Sequence, residues 1–342
     1  MNFILFFFFL IIISLFLNRY LIKKNFLINV TGDNHQKFAS KNKVPLIGGI
    51  ILFFGLCFIS YRNNNLFISF SFLVLILGII SDLKLVNSAS KRLLFQIIIV
   101  IIYVLFDQLK IIDTRIILLD KFLQNNYVNY LFVSFCILIL INGSNFIDGL
   151  NTLCVGYYLI ITIIIAYLIQ NNLITIDIDY LSKFAILLLM LFILNLTNKI
   201  FLGDSGSYLL GFIFGSMLIK LYFINPNISP FFIILLLWYP CYETLFSIIR
   251  KNLVKNSPMS PDTAHLHQLV FFSIKYKFKT SIFKSNLISA NLINIYNFCI
   301  FIIALKFASN TQIQILLILF NLVIYTIIYF KFYFYRLKHT NE

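Results

Sequence analysis

Val128 to Leu150 reads VNYLFVSFCILILINGSNFIDGL, an apolar run that ends in a cluster of carboxamides, a hydroxyl and a carboxylate. The run approaches the ~20 apolar residues that carry a helix across a bilayer. Asp and Asn are costly in hydrocarbon, so such residues face a cavity or the water interface and mark a functional site. This stretch therefore predicts a membrane-crossing helix with chemistry at one end.

The pattern recurs. Phe201 to Ser207 (FLGDSGS) and Pro261 to Gln268 (PDTAHLHQ) are two further polar islands beside long apolar runs. The whole chain is greasy: of 342 residues 61% are hydrophobic and 11% charged, with mean hydropathy +0.94. A soluble domain has no way to hide that much apolar surface, whereas a polytopic bundle exposes it to lipid. The chain is read as an all-α integral membrane protein, a single domain of ten to eleven transmembrane helices. Apolar runs place the spans at 3–22, 45–60, 66–82, 93–107, 128–142, 152–170, 184–200, 208–224, 229–249, 286–306 and 312–332. The first is read as an anchor, because its apolar stretch is long and no small-residue cleavage site follows Leu17.

Basic residues set the orientation. With the N-terminus outside, one set of loops collects twenty of the 27 Lys and Arg, among them Lys37, Lys91, Arg92, Arg250 and Arg336, and the other set collects seven. The richer side is the cytoplasmic one. The same assignment brings Asp82, Asp148, Asp204 and His265 to that face, so the site is expected on the cytoplasmic side. The basic excess reads as membrane topology, with lipid as the partner and no role for nucleic acid. The five cysteines form no CxxC pair and lie in or beside apolar spans, which suits packing rather than redox or metal chemistry. The longest cytoplasmic connection, 250–285, carries the His motif.

Each island also has a bland reading. Asn142 to Asn145 suits a capped turn, but Asp148, just past the run CILILI, needs a partner. Gly203 to Gly206 suits a helix break, yet Asp204 between glycines exposes a carboxylate and leaves backbone N–H groups for a phosphate or a metal-bound water. A divalent ion is the natural partner. His265 and His267 are two apart, wrong for one helix face and for a zinc site without cysteine. In a loop both imidazoles can converge on an anion.

In order, VPLIGGI, SDLKLVNSASKRLLFQ, NGSNFIDGLN, FLGDSGSYLLGF and SPMSPDTAHLHQ resemble the motifs of the polyprenyl-phosphate N-acetylhexosamine-1-phosphate transferases. The resemblance covers roughly the first 270 residues, and the last two spans match only by hydropathy. HLHQ stands where the phospho-N-acetylmuramoyl-pentapeptide transferase branch typically has three histidines, so that branch is the weaker enzyme alternative. A polysaccharide flippase is the alternative of another class. The family often has paired aspartates where this chain has Ser81 and Asp82.

The resemblance implies a bacterial inner-membrane enzyme, often dimeric, that moves a sugar-1-phosphate from a UDP-sugar to polyprenyl phosphate and releases UMP. It implies Mg²⁺ or Mn²⁺ as cofactor, with Asp204 and Asp148 as ligands and Asp82 as ligand or substrate orienter. His265 and His267 would then bind diphosphate or nucleotide. Asn142 and Asn145 would hydrogen-bond sugar, uracil or metal-bound water, and Lys91, Arg92 and Lys37 would hold the carrier phosphate.

Overall fold

Apolar runs in lipid become helices because no water is available to satisfy their backbone N–H and C=O groups. The computed structural model describes residues 3–29, 43–60, 65–253 and 263–340. Apart from one isolated antiparallel bridge between Ile28 and Pro45, the regular structure of these residues is helical. In chain order the helices are α1 (Phe3–Lys24), α2 (Gly48–Ser60), α3 (Asn65–Asp82), α4 (Ala89–Asp107), α5 (Ile117–Leu123), α6 (Asn126–Ile147) and α7 (Leu153–Gln170). There follow α8 (Ile178–Leu196), α9 (Gly203–Ile224), α10 (Pro230–Leu236), α11 (Trp238–Leu253), α12 (Leu266–Phe278), α13 (Ile282–Leu305) and α14 (Thr311–Thr340). Nine of them are long and apolar enough to cross a membrane: α1, α3, α4, α6, α7, α8, α9, α13 and α14. The all-α polytopic expectation is borne out.

The differences from the expected spans have physical causes. α2 has 13 residues, about 20 Å of helix, too short to cross hydrocarbon alone. The span expected at 229–249 is two helices, α10 and α11, bent by 73° at Leu237. Pro240 has no N–H to offer the carbonyl four residues back, and the freed Leu236 carbonyl accepts instead from the Tyr157 hydroxyl at 2.8 Å. The connection 250–285 is not a plain loop, because it contains α12, which packs on α13 and α14. The first two islands are helix ends rather than turns: Asn142 to Ile147 complete α6, and α9 begins at Gly203.

α9 is the hub, buried on nearly every side and packed most closely against α3 and α6. The approach of α3 is very tight at Gly78, where an added Cβ would lie 2.2 Å from the Ser205 Cα. Peripheral helices turn apolar stripes outward. Leu316, Leu319, Val323 and Ile327 on α14 are all exposed, a surface that only lipid tolerates.

Candidate active site

The hub helix starts without a cap of its own. Leu202, at the N-cap position, makes no side-chain hydrogen bond to α9, so the first N–H groups need an acceptor from elsewhere. Asp82, the last residue of α3, supplies it: Oδ1 accepts from the Asp204 N–H at 2.8 Å and Oδ2 from the Ser205 N–H at 3.1 Å. A carboxylate there also meets the positive end of the α9 dipole. Gly203 makes room, with φ +69° and a Cβ position that would fall 2.7 Å from Asp82 Oδ2. Asp82 is thus engaged as a helix cap borrowed from another helix.

Asp204 sits in the first turn that this cap secures. Its Oδ1 accepts from Asn145 Nδ2 at 2.7 Å. Its Oδ2 accepts from Arg92 Nη1 at 3.1 Å, from the Tyr208 hydroxyl at 3.4 Å and from the Ser81 hydroxyl. Arg92 Nη1 also donates to Ser81 Oγ at 2.7 Å, so that hydroxyl bridges cation and carboxylate. α4 places the guanidinium: Ser88 caps the helix, and Arg92 lies in its first turn. The side chains of Arg92 and Asp204 are 29% and 24% exposed, so the pair contributes at most about 1 kcal/mol to stability. Asp204 is held in place, yet open to a stronger cation.

Asp148 closes α6 as its C-cap residue. Its half-buried side chain has no hydrogen-bond donor among the described residues. Burial first, then the carboxylates of Asp204 and Asp82, push its pKa well above the usual range. The turn after it is fastened by carboxamides: Asn286 Oδ1 accepts from Asn151 N at 2.9 Å, and Asn294 Nδ2 donates to the Thr152 carbonyl at 3.0 Å. Asn195 accepts from Thr152 N and donates to the Ile200 carbonyl, linking the Asp148 turn to the segment leading into Asp204. Thr152 is held at φ +67°, a conformation that the surrounding bonds impose.

The third island folds against the first. His265 is the N-cap residue of α12, and Gln268 Oε1 accepts from its N–H at 3.2 Å. Its ring lies 5.0 Å from the Phe146 ring and 5.8 Å from that of His267, nearly parallel to the latter. His265 Nδ1 meets Glu243 Oε1 at 2.9 Å. His267 is fully buried and presses on Gly149, where a Cβ would stand 2.3 Å from Nε2. The two histidines are therefore packed side chains at a helix start, not a solvated loop pair.

Sequence and structure part company at some residues. Asn142 donates to Gln96 Oε1 at 3.0 Å and to the Leu138 carbonyl, joining α6 to α4 one turn away from Asn145. Lys91 is exposed beside Arg92 and takes no part in the Asp204 cluster. Lys37 lies outside the described residues. Ser81, Tyr208, Asn195 and Glu243 are not among the site residues expected from sequence; of these, Glu243, an acid within a span, and Ser81, at the position of a family aspartate, carry a signal.

The donor set suits a hard divalent cation. Asp148 offers a carboxylate with no hydrogen-bond donor among the described residues, near enough to the partly exposed Asp204 for the two charges to repel. Among the described residues no three His, Cys, Asp or Glu side chains form a cage. Mg²⁺ needs none, because it binds through one or two carboxylates with waters and substrate phosphates completing its shell.

Fold and geometry together define a class: a polytopic membrane protein whose acidic and histidine motifs meet at one end of the bundle. Comparison with known proteins shows what this class resembles in sequence. The glycosyl transferase family 4 model matches residues 65–222, which span α3 to α9. The undecaprenyl-phosphate alpha-N-acetylglucosaminyl 1-phosphate transferase of Thermotoga maritima is 28% identical over 246 residues, 69% of this chain and 71% of that protein. A probable undecaprenyl-phosphate N-acetylglucosaminyl 1-phosphate transferase of Bacillus subtilis is 27% identical over 304 residues, 82% and 78% of the two chains. The phospho-N-acetylmuramoyl-pentapeptide-transferase of Dictyoglomus thermophilum is 28% identical over 220 residues, 61% and 70%. The motif resemblance is borne out: over the helices that build the site the chain is similar to the glycosyl transferase family 4 and to these transferases.

Proposed function

We propose that this enzyme transfers N-acetylglucosamine-1-phosphate from UDP-N-acetylglucosamine to undecaprenyl phosphate, releasing UMP and starting a lipid-linked cell-envelope glycan. A phosphate oxygen of the carrier attacks the β-phosphorus of the UDP-sugar. The bond from that phosphorus to the bridging oxygen breaks, and UMP departs with the electron pair. The observation that carries the reading is the meeting of Asp204, Asn145, Asp148 and His265 from three separated motifs at the ends of α6 and α9 and the start of α12.

Two anions must approach each other, so cationic groups are the first requirement. Asp204 and Asp148 would hold Mg²⁺ or Mn²⁺, which when bound neutralises the diphosphate and the developing charge on UMP. Arg92, released from Asp204, is placed to pair with a substrate phosphate. His265 and Asn145 orient the nucleotide or sugar. His267, buried against Gly149, supports the wall rather than the ligand. Ser81 has no carboxylate with which to act as a base, and none is required: a phosphate monoester with a second pKa near ~6 is largely dianionic at neutral pH. Catalysis then rests on positioning and electrostatics.

The charge split supports a cytoplasmic site in the bacterial inner membrane, the side on which nucleotide sugars are made. Transporters place ionisable groups near the bilayer midplane. Here the acids of the site lie at helix ends, and Glu243, the acid within a span, is matched to His265. Membranes offered a panel of UDP-sugars with undecaprenyl phosphate, with lipid products read by mass spectrometry, test the assignment. An N-acetylglucosamine diphosphate lipid is the expected product; a product from another sugar alone would reassign the donor, and no lipid product would remove the reading.

A further inference from the structure

α14 lies beyond the residues that the family model matches, yet it reaches the site at two points. Tyr325 donates its hydroxyl to Glu243 Oε2 at 2.8 Å. Arg336, three helical turns further on the same face, holds the Thr263 backbone carbonyl and donates to Thr263 Oγ1 at 2.9 Å. Both contacts bear on the segment that carries His265. Glu243 is fully buried in the second half of the broken span, and its other oxygen, Oε1, meets His265 Nδ1 at 2.9 Å and the Leu266 N–H at 3.3 Å.

A buried carboxylate is costly unless its lone pairs are met by donors. Here three donors come from two helices: the phenol of α14, the first N–H of α12 and the imidazole of its N-cap residue. The tautomer of a histidine is set by the partner of one ring nitrogen, which fixes what the other nitrogen offers. We propose that Tyr325 and Glu243 are positioning residues for His265: α14, through the buried carboxylate, fixes Nδ1 as a donor and fixes the ring plane, so that Nε2 is presented to the phosphate or nucleotide. The assignment of His265 to substrate rests on the transfer reading, whereas the relay from Tyr325 to the ring does not.

The experiment separates the two. The chain has four histidines, His35, His265, His267 and His339, so ¹⁵N-histidine labelling of the full protein in lipid nanodiscs gives a short list of imidazole resonances. His265→Gln identifies the one of interest. Wild type is expected to show a hydrogen-bonded Nδ1–H on His265, and both Glu243→Gln and Tyr325→Phe are expected to move that resonance while leaving His339 in place. Binding of UDP-N-acetylglucosamine should weaken about tenfold in Glu243→Gln and a fewfold in Tyr325→Phe, as expected for loss of charge-assisted bonds. In a His265→Ala background the Tyr325→Phe change should have no further effect on binding. A His265 resonance unmoved in both variants overturns the relay. So does an equal loss from Tyr325→Phe with and without His265, which would mean that α14 acts by packing alone. If wild type binds no UDP-sugar, the transfer reading falls, and the imidazole resonance still decides the relay.

Discussion

Asp82 and Asp204 look alike in sequence, but the structure gives them different work, and substituting each by Ala separates the roles. Asp82→Ala strips both acceptors from the start of α9 and leaves the Asp204 and Ser205 N–H groups without partners. Each buried orphan costs about 1–3 kcal/mol, and the lost charge at a helix N-terminus adds about 0.3–1 kcal/mol. Relief of repulsion with the nearby carboxylates offsets part of this. A net loss of about 2 kcal/mol is expected, enough to lower the apparent Tm by several degrees. Asp204→Ala removes a partly exposed pair with Arg92, worth at most about 1 kcal/mol, and the bonds from Asn145, Tyr208 and Ser81, while relieving repulsion with Asp82 and Asp148. Its Tm should therefore fall less than that of Asp82→Ala, yet UMP release should vanish. Thermal unfolding of the two purified variants, alongside a UMP assay, reads both quantities. An unchanged Tm in Asp82→Ala, or a larger drop in Asp204→Ala, would refute the capping argument.

The other expectations follow from single contacts. Asp148 is held above the usual carboxylate range, so its protonated form favours the folded state; that stability is present below the ordinary pKa and fades as pH rises through the raised one. In EDTA, Asp148→Asn should therefore melt higher than wild type at about pH 8 and lose the advantage near about pH 4, while being inactive; a variant that melts lower at both would contradict this. Mg²⁺ should raise the Tm of wild type but not that of Asp148→Asn or Asp204→Asn, and equal stabilisation of all three would remove these ligands. Gly149→Val drives a side chain into fully buried His267, and at least a tenfold loss of turnover is expected; near-normal turnover would show that the wall yields. Arg115 donates to Ser309 O, Thr311 Oγ1, Pro226 O and Ile228 O in the loops away from the site, so Arg115→Ala should lower the Tm with turnover unchanged, and the reverse pattern would mean that those loops serve catalysis. A cysteine at Leu85 should react with impermeant reagents only after the cytoplasmic face is opened, and one at Asn171 in intact cells; the opposite labelling would invert the topology.

The spans and the acidic islands were legible because hydrophobic length and misplaced carboxylates are local signals. Asp204 and Asp148 could be found that way, and Asn145 came with its motif. What stayed hidden depends on which neighbour a helix meets. Asn142 and Asn145 are three apart in one motif, yet one meets Gln96 on α4 and the other meets Asp204 on α9. Ser81 reads as a missing aspartate, and only the packing of α3, α4 and α9 reveals a hydroxyl bridging Arg92 and Asp204. The apolar run 229–249 reads as one span and hides the break at Leu237, which Pro240 alone could have signalled; nothing local points to the Tyr157 hydroxyl that satisfies the freed carbonyl. α12 escaped notice because LHQLVFFSIKYKF is too short and too basic to read as a span.

The central claim is that a phosphate, not merely a sugar, passes to the carrier. It is tested most directly by identifying the nucleotide released when the purified protein is given UDP-N-acetylglucosamine, undecaprenyl phosphate and Mg²⁺. The account predicts UMP, formed one for one with a sugar diphosphate lipid and absent with Asp204→Asn; release of UDP, or UMP formed without the lipid product, would contradict it.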